Sequence, residues 1–279
     1  MEQQDQKARR SGPRSPFDLL IFLFLVCVAG CGPSAKQPEI PKLPPAKPEA
    51  IEALKDAARL VRLGPGNQER ALERLKDAVE IDPGLWEAWY DAGWIELSRH
   101  HTDEAIAALE KAQSILPTHA PTAQALAQAY VQAARPADAV KTLRAFLDRQ
   151  PNAKEGNAVR VQLATAQRRA NKLDDATETL RTVLRAEPRS APALSALGMV
   201  YEARGQHELA DLVLHRALDI DKESKAAADI YNNLGLVALA RRRDQEAFAD
   251  FDAASRVDPS LTVARRNKAM VYLDCGDYA

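Results

Sequence analysis

The apolar residues of this chain follow two different patterns. From Leu19 to Val28 they are continuous, LLIFLFLVCV, after a polar stretch that carries Lys7, Arg9, Arg10 and Arg14. From residue 50 onward they are spaced and interleaved with small residues. Ala recurs at 71, 105, 139, 176, 210 and 247, and a large apolar residue follows four positions later at Leu75, Leu109, Leu143, Leu180, Leu214 and Phe251. Residues four apart share one face of an α-helix, so each pair predicts a helix with an apolar stripe. A second column of small residues, Gly93, Ala127, Ala164, Gly198, Gly235 and Ala269, predicts a partner helix in each unit that approaches closely. Pro83, Pro117, Pro151, Pro188 and Pro259 close the segments AVEIDP, AQSILP, FLDRQP, VLRAEP and ASRVDP, and Lys222 takes the Pro place after ALDID. Proline lacks an amide N–H and pushes the preceding residue out of the helical region, so each is a predicted helix stop.

Successive closing positions are 34 or 37 residues apart. A two-helix unit of this length, repeated in register, resembles the tetratricopeptide repeat (TPR). The stretch from Trp86 to His119 carries the resemblance best, with Trp89, Ala92-Gly93, Ala105, Leu109, Ala112 and Pro117 at the spacings of that family. The resemblance extends over residues 50–279. It implies an all-α solenoid, a right-handed superhelix of helix pairs, with about six full repeats and a half repeat starting near residues 50, 86, 120, 157, 191, 228 and 262. No single unit buries enough surface alone, so each leans on its neighbours.

Three features depart from the family pattern. The first repeat has Gly64-Pro65-Gly66-Asn67 between its helices and lacks the small residue of helix A; Ile51, Leu54, Ala58 and Val61 mark its apolar face, which reads as an N-terminal cap. Two junctions, near 154–156 and 225–227, are three residues longer, which lengthens either a loop or helix A. The sequence given stops at Gly276-Asp277-Tyr278-Ala279, the inter-helix turn of a seventh repeat. It therefore reads as a fragment of a longer array, or else the half repeat with Met270, Tyr272 and Leu273 serves as the cap.

The continuous run has ten residues, about 15 Å of helix against a hydrocarbon core of about 30 Å, too short to span a bilayer comfortably. A basic start, a short apolar run and a small-residue exit describe a secretory signal peptide over residues 1–30. Its exit, Val28-Ala29-Gly30-Cys31, resembles the bacterial lipobox. That resemblance implies cleavage before Cys31, a thioether-linked diacylglycerol on its sulfur, and acylation (palmitate) of the new N-terminus. The absence of Asp after Cys31, where Gly32 stands, tilts sorting toward the outer membrane. Residues 31–49 follow as a tether. Pro33, Pro38, Pro41, Pro44, Pro45 and Pro48 favour polyproline II, which at about 3.1 Å per residue reaches roughly 55 Å.

Composition narrows the function. The 279 residues carry 38 Lys+Arg against 39 Asp+Glu, so a nucleic-acid partner is not expected. With Cys27 removed in the leader and Cys31 lipidated, Cys275 stands alone and no internal disulfide can form. His100, His101, His119, His207 and His215 belong to no HExxH or paired-Cys arrangement, and there is no GxSxG, Walker or GxGxxG motif. No metal, cofactor or catalytic group is expected. Acidic and basic residues interleave, as in ERALERLK over 69–76, in the manner of solvated helix faces.

What the resemblance offers is a concave groove lined by A helices. The matching positions are Tyr90, Trp94, Leu97 and Ser98; Gln124, Gln128, Val131 and Gln132; Val161, Thr165, Arg168 and Arg169; Ser195, Met199 and Glu202; and Asn232, Leu236 and Leu239. Family members that clamp a peptide's C-terminal carboxylate use Lys and Asn at set helix A positions, and that set is not reproduced here. A mixed apolar and amide groove suits an extended peptide or a partner helix, with Trp94 and Tyr90 as anchors. The whole layout is similar to gliding-motility TPR lipoproteins of myxobacteria, to pilotin-type TPR lipoproteins that assist pilus secretins, and to adaptor lipoproteins that dock peptidoglycan hydrolases. It implies a non-enzymatic scaffold on the outer membrane, its body facing the periplasm, with envelope proteins or peptides in the groove. Replacing Ala105 or Ala176 with Leu is expected to overpack a helix crossing at a cost of about 1–3 kcal/mol. An unchanged thermal midpoint would contradict the register.

Overall fold

The computed structural model describes residues 43–222 and 224–274. The leader, Val28, Ala29, Gly30, Cys31, most of the Pro-rich stretch, Cys275 and residues 276–279 lie outside the described residues. These contain thirteen α-helices, one short 3-10 helix and no strand. The helices pair in chain order: α1 (Pro48–Arg62) with α2 (Gln68–Ile81), α3 (Trp86–Ser98) with α4 (Thr102–Ile115), and α5 (Ala120–Gln132) with α6 (Pro136–Arg149). They continue as α7 (Gly156–Arg169) with α8 (Leu173–Ala186), α9 (Ala191–Ala203) with α10 (His207–Ile220), and α11 (Ala227–Ala240) with α12 (Asp244–Val257). A last helix, α13 (Thr262–Asp274), packs on α12. Each helix packs on the next in the chain, and α3, α5, α7, α9 and α11 also touch one another in series. This is an all-α solenoid of six full repeats and a half, with the odd-numbered A helices in one layer and the even-numbered B helices in the other.

The core is the repeated crossing of A and B helices. Ala71, Ala105, Ala139, Ala176, Ala210 and Ala247 are fully buried, and so are Leu75, Leu109, Leu143, Leu180, Leu214 and Phe251 beside them. One further turn along each B helix, Ala78, Ala112, Phe146, Val183, Ala217 and Ala254 complete the stripe. Each large side chain fits against a small residue of its own A helix. At Gly235 the fit is so close that an added Cβ would fall 2.6, 2.8 and 2.9 Å from three ring atoms of Phe251. A planar ring has no flexible end that can give way, so glycine is required at this crossing.

In the first repeat the small residue is present but displaced. Ala57 is buried with Leu75 in the same cluster, 18 residues before it, whereas Gly93 and its counterparts stand 16 before theirs. The five-residue turn Leu63–Asn67, with its 3-10 helix, replaces the three-residue turns 99–101, 133–135, 170–172, 204–206 and 241–243. The buried face of α1 is Ala50, Ala57 and Leu60, while Val61, expected on that face, is exposed. The chain ahead of α1 is pinned to the end of α2, where the Lys47 amide donates to Asp82 Oδ2 (3.1 Å) and its Nζ donates to the Ile81 carbonyl (2.6 Å).

The helix ends have distinct chemistry. B helices stop with an extended residue, from Asp82 (φ −135°, ψ 92°) to Asp258 (φ −130°, ψ 95°), in each case just ahead of the closing position. Asp221 adopts the same conformation although Lys222, not Pro, follows it. Proline therefore reinforces a stop that the turn already dictates; here Ser224 donates to Asp221 and accepts from the Ala226 amide. The two longer junctions use both alternatives. Their loops, 150–155 and 221–226, have two more residues than 82–85, and α7 and α11 have 14 residues where α3 has 13.

A helices end in a left-handed residue: His100, Ala134, Asn171, Gly205 and Arg242, all with φ between 56° and 72°. The next amide reaches back five residues, as in Arg135 N–H to the Tyr130 carbonyl (2.7 Å), and so satisfies an end carbonyl. Only one of the five is glycine, so four turns hold an L-residue at a cost of about 1–2 kcal/mol each. Ala134→Gly is expected to raise stability by up to about 1 kcal/mol, since relief of that strain exceeds the extra chain entropy. Gly235→Ala is expected to lower stability by about 1–3 kcal/mol, read as urea midpoints of the two variants. Opposite signs would contradict the packing described.

Candidate functional site

The A-helix side chains that do not pack against a B helix form a trough of three cavities. At one end Trp94, half-exposed, borders a cavity of about 150 Å³ with Ala57, Ala58, Val61 and Asp91. Between α5 and α7 lies a second, of about 240 Å³, lined by Gln124, Gln128, Val131, Gln132, Gln162 and Thr165. The third and largest, about 460 Å³, lies across α7, α9 and α11, with Val161, Thr165, Arg168, Ser195, Ala196, Met199, Ile230 and Asn233 among its walls and Asp221 and Asp229 at its rim. Thr165 borders both of the larger cavities, so these two adjoin.

Several expected groove residues are placed there: Trp94, Gln124, Gln128, Arg168 and Met199. Tyr90 is half-buried and held edge-on to His119 (centroids 5.3 Å), whose ring also lies 4.4 Å from that of Trp86. Burial, then Asp91, pushes the Tyr90 hydroxyl up from its ordinary value, and burial pushes His119 down. Leu236 is half-buried between the α9–α11 cluster and the α12–α13 cluster, and exposed Arg169 is not among the cavity walls.

Two expected groove residues belong to the packing instead. Leu97 is 3% exposed and sits in the core with Leu126 and Val140. Asn232 is buried and accepts a hydrogen bond from Asn267 Nδ2 of α13 (3.0 Å), a polar tie between neighbouring A helices. The next residue, turned by about 100° around the helix, faces the trough in its place: Asn233 donates to Ser195 Oγ at 3.1 Å. The adjacent Asn pair was visible in the sequence, but which of the two reaches the groove depends on the rotation of α11.

Asp91, Gln162, Asp221 and Asp229 are walls that the sequence reading missed. They stand outside the expected A-helix positions or, for Asp221, in a loop whose path only the fold sets. Burial, then Glu87, pushes the Asp91 carboxyl above the usual range; burial, then Asp258, does the same to Asp229. Arg168 moves the other way: burial and the neighbouring Arg169 hold its guanidinium below its ordinary value, against Glu202. Away from the trough, burial raises Asp250 to about 6, beside His215 and Asp211. Among the described residues no group of three or more His, Cys, Asp or Glu could hold a metal ion, and no helix is long and apolar enough to cross a membrane. The cavity walls offer an aromatic face, five amide side chains, one half-buried cation and an apolar floor.

Tetratricopeptide repeat models match residues 96–163, and residues 60–120 and 161–225. The crystal structure of PilW, a widely conserved type IV pilus biogenesis factor, aligns with a TM-score of 0.60 at 19% identity, covering 79% of this chain and 99% of that one. The Cut9–Hcn1 hetero-tetramer of the APC/C aligns with a TM-score of 0.55 at 16% identity, covering 80% and 42%. The peroxisomal targeting signal receptor of Kluyveromyces lactis is 24% identical over 209 residues, which is 72% of this chain. The match spans about a third of that receptor's length, 35%. The structural likenesses are likenesses of fold.

Trp94→Ala is expected to leave helicity and thermal midpoint nearly unchanged, because that ring is 51% exposed. Asn232→Ala is expected to cost about 1–3 kcal/mol by stranding the Asn267 amide, without altering binding in the trough. Circular dichroism melts of the two separate a surface anchor from a structural amide; a large loss of helicity in Trp94→Ala would make that ring a packing residue.

Proposed function

The chain belongs to the tetratricopeptide-repeat family, and from that premise we propose that it is a non-enzymatic scaffold which holds partner proteins in its A-helix trough. The observation that carries the reading is the row of cavities along the A helices, two of which adjoin at Thr165, with aromatic, amide, cationic and apolar groups on their walls. Tandem helix pairs present such surfaces because every A helix keeps one face that its B helix does not cover.

The same proposal places the scaffold in the bacterial envelope. The lipobox-like Val28-Ala29-Gly30-Cys31 and the Pro-rich stretch after it supply a lipid anchor and a spacer, with the outer membrane as destination and the repeats facing the periplasm. The envelope complex favoured is of the gliding-motility type, on the layout of leader, long tether and repeat array. A second reading is assembly of a type IV pilus secretin. It is favoured by the coverage of PilW, a pilus biogenesis factor that this chain matches over 99% of its length.

Cys31→Ser is expected to abolish incorporation of labelled palmitate and to move the protein out of the membrane fraction. Label retained by the variant would remove the anchor from the proposal. Photo-crosslinking from Trp94 and Gln128 in cells, followed by identification of the captured proteins, decides between the complexes. A pilus secretin would overturn the gliding-motility reading, and capture of no envelope protein would overturn both.

A further inference from the structure

We propose that the largest cavity of the trough, across α7, α9 and α11, recognises the carboxylate side chain of an internal Asp or Glu in an extended partner segment, with a neighbouring apolar side chain on Met199 and Ile230. The inference rests on the trough being the binding surface, and it names what that surface selects.

Arg168 is the reason. It is half-buried on the cavity wall, and among the described residues it makes neither a hydrogen bond nor an ion pair. Two other half-buried arginines of this array are paired: Arg99 meets Glu69 at 3.0 Å and Arg204 meets Asp174 at 2.6 Å. Burial has stripped water from the Arg168 guanidinium without supplying a counter-charge, and Glu202 acts on it only at a distance. A carboxylate entering the cavity would meet a planar fork of five N–H donors, the geometry suited to bidentate pairing.

The other polar groups nearby point the same way. Asn233 spends one amide hydrogen on Ser195 Oγ, which leaves its second N–H and the Ser195 hydroxyl hydrogen as donors. These donors line the same cavity as Arg168 and suit an acceptor-rich group. Ala191, Ala196, Met199 and Ile230 add an apolar floor. At about 460 Å³ the cavity falls within the roughly 300–1,000 Å³ of common ligand pockets.

Two features favour an internal residue over a chain terminus. The cavity adjoins the one between α5 and α7 at Thr165, which gives a segment a place to run on beyond Arg168. Asp229 of α11 and Asp221 just before it also line the cavity, and there a second negative group such as a terminal carboxylate would be repelled. The segment therefore lies with its acidic residue at α7 and neutral or basic residues toward α11.

The test is selection from a phage-displayed library of short random segments, flanked on both sides by Gly-Ser linkers so that no C-terminus is free, against the full chain. Expected is enrichment of Asp or Glu next to an apolar residue. Binding of the selected segments is expected to fall at least about tenfold in Arg168→Gln and to persist in Arg169→Gln, the exposed neighbour. Segments that bind without acidic preference, or that ignore Arg168→Gln while Trp94→Ala or Gln128→Ala weakens them, would overturn this inference and leave the trough reading standing. Enrichment only from a parallel library with free C-termini would overturn the choice of an internal residue. Selection of nothing, or of segments indifferent to every trough substitution, would overturn the trough reading and this inference together.

Discussion

Everything in this array depends on one close approach, repeated from pair to pair: a small residue of helix A against a large apolar residue of helix B. Gly93 against Leu109 and Gly235 under the Phe251 ring are its tightest forms, where an added Cβ would fall 2.5 and 2.6 Å from the larger side chain, and Ala164 meets Leu180 in one core cluster. Burying a Leu or Phe side chain is worth about 1.5–3 kcal/mol, so six such contacts outweigh any ion pair on this surface. The approach also fixes the angle of each pair, and with it the face of helix A that remains uncovered.

That uncovered face is where structure turns into function. Once Leu109, Leu143, Leu180 and their counterparts have filled the crossing, the A-helix residues on the far side are free of structural duty. They can be Trp94, Gln128 or Arg168 without cost to the core, whereas Met199 both lines the trough and packs in the core. Asn232 marks the boundary between the two roles: one residue along, Asn233 belongs to the trough, whereas Asn232 ties α11 to α13. The surface proposed for recognition is thus a by-product of packing.

The architecture was legible because its columns are local and repeated. Ala four residues before Leu, small residues in helix A and closing prolines each encode a helix or its end, and several copies in register leave a single solution. What the sequence could not convey was rotation and displacement. Ala57 was hidden because a longer turn moved it two residues out of register with Leu75. Leu97 looked like a groove position but faces inward. The closing prolines suggested a cause for the helix stops that Asp221, followed by Lys222, shows to be secondary. Arg168 was visible as a basic residue, but its lack of a partner is a property of three helices together.

Amide hydrogen exchange across the array, with and without a captured partner, shows whether partners are held by the A-helix trough. Slowed exchange is expected on A helices from α1 to α11, with α2, α4, α6, α8, α10 and α12 unchanged. Protection that falls on the B helices and spares the A helices would contradict this placement.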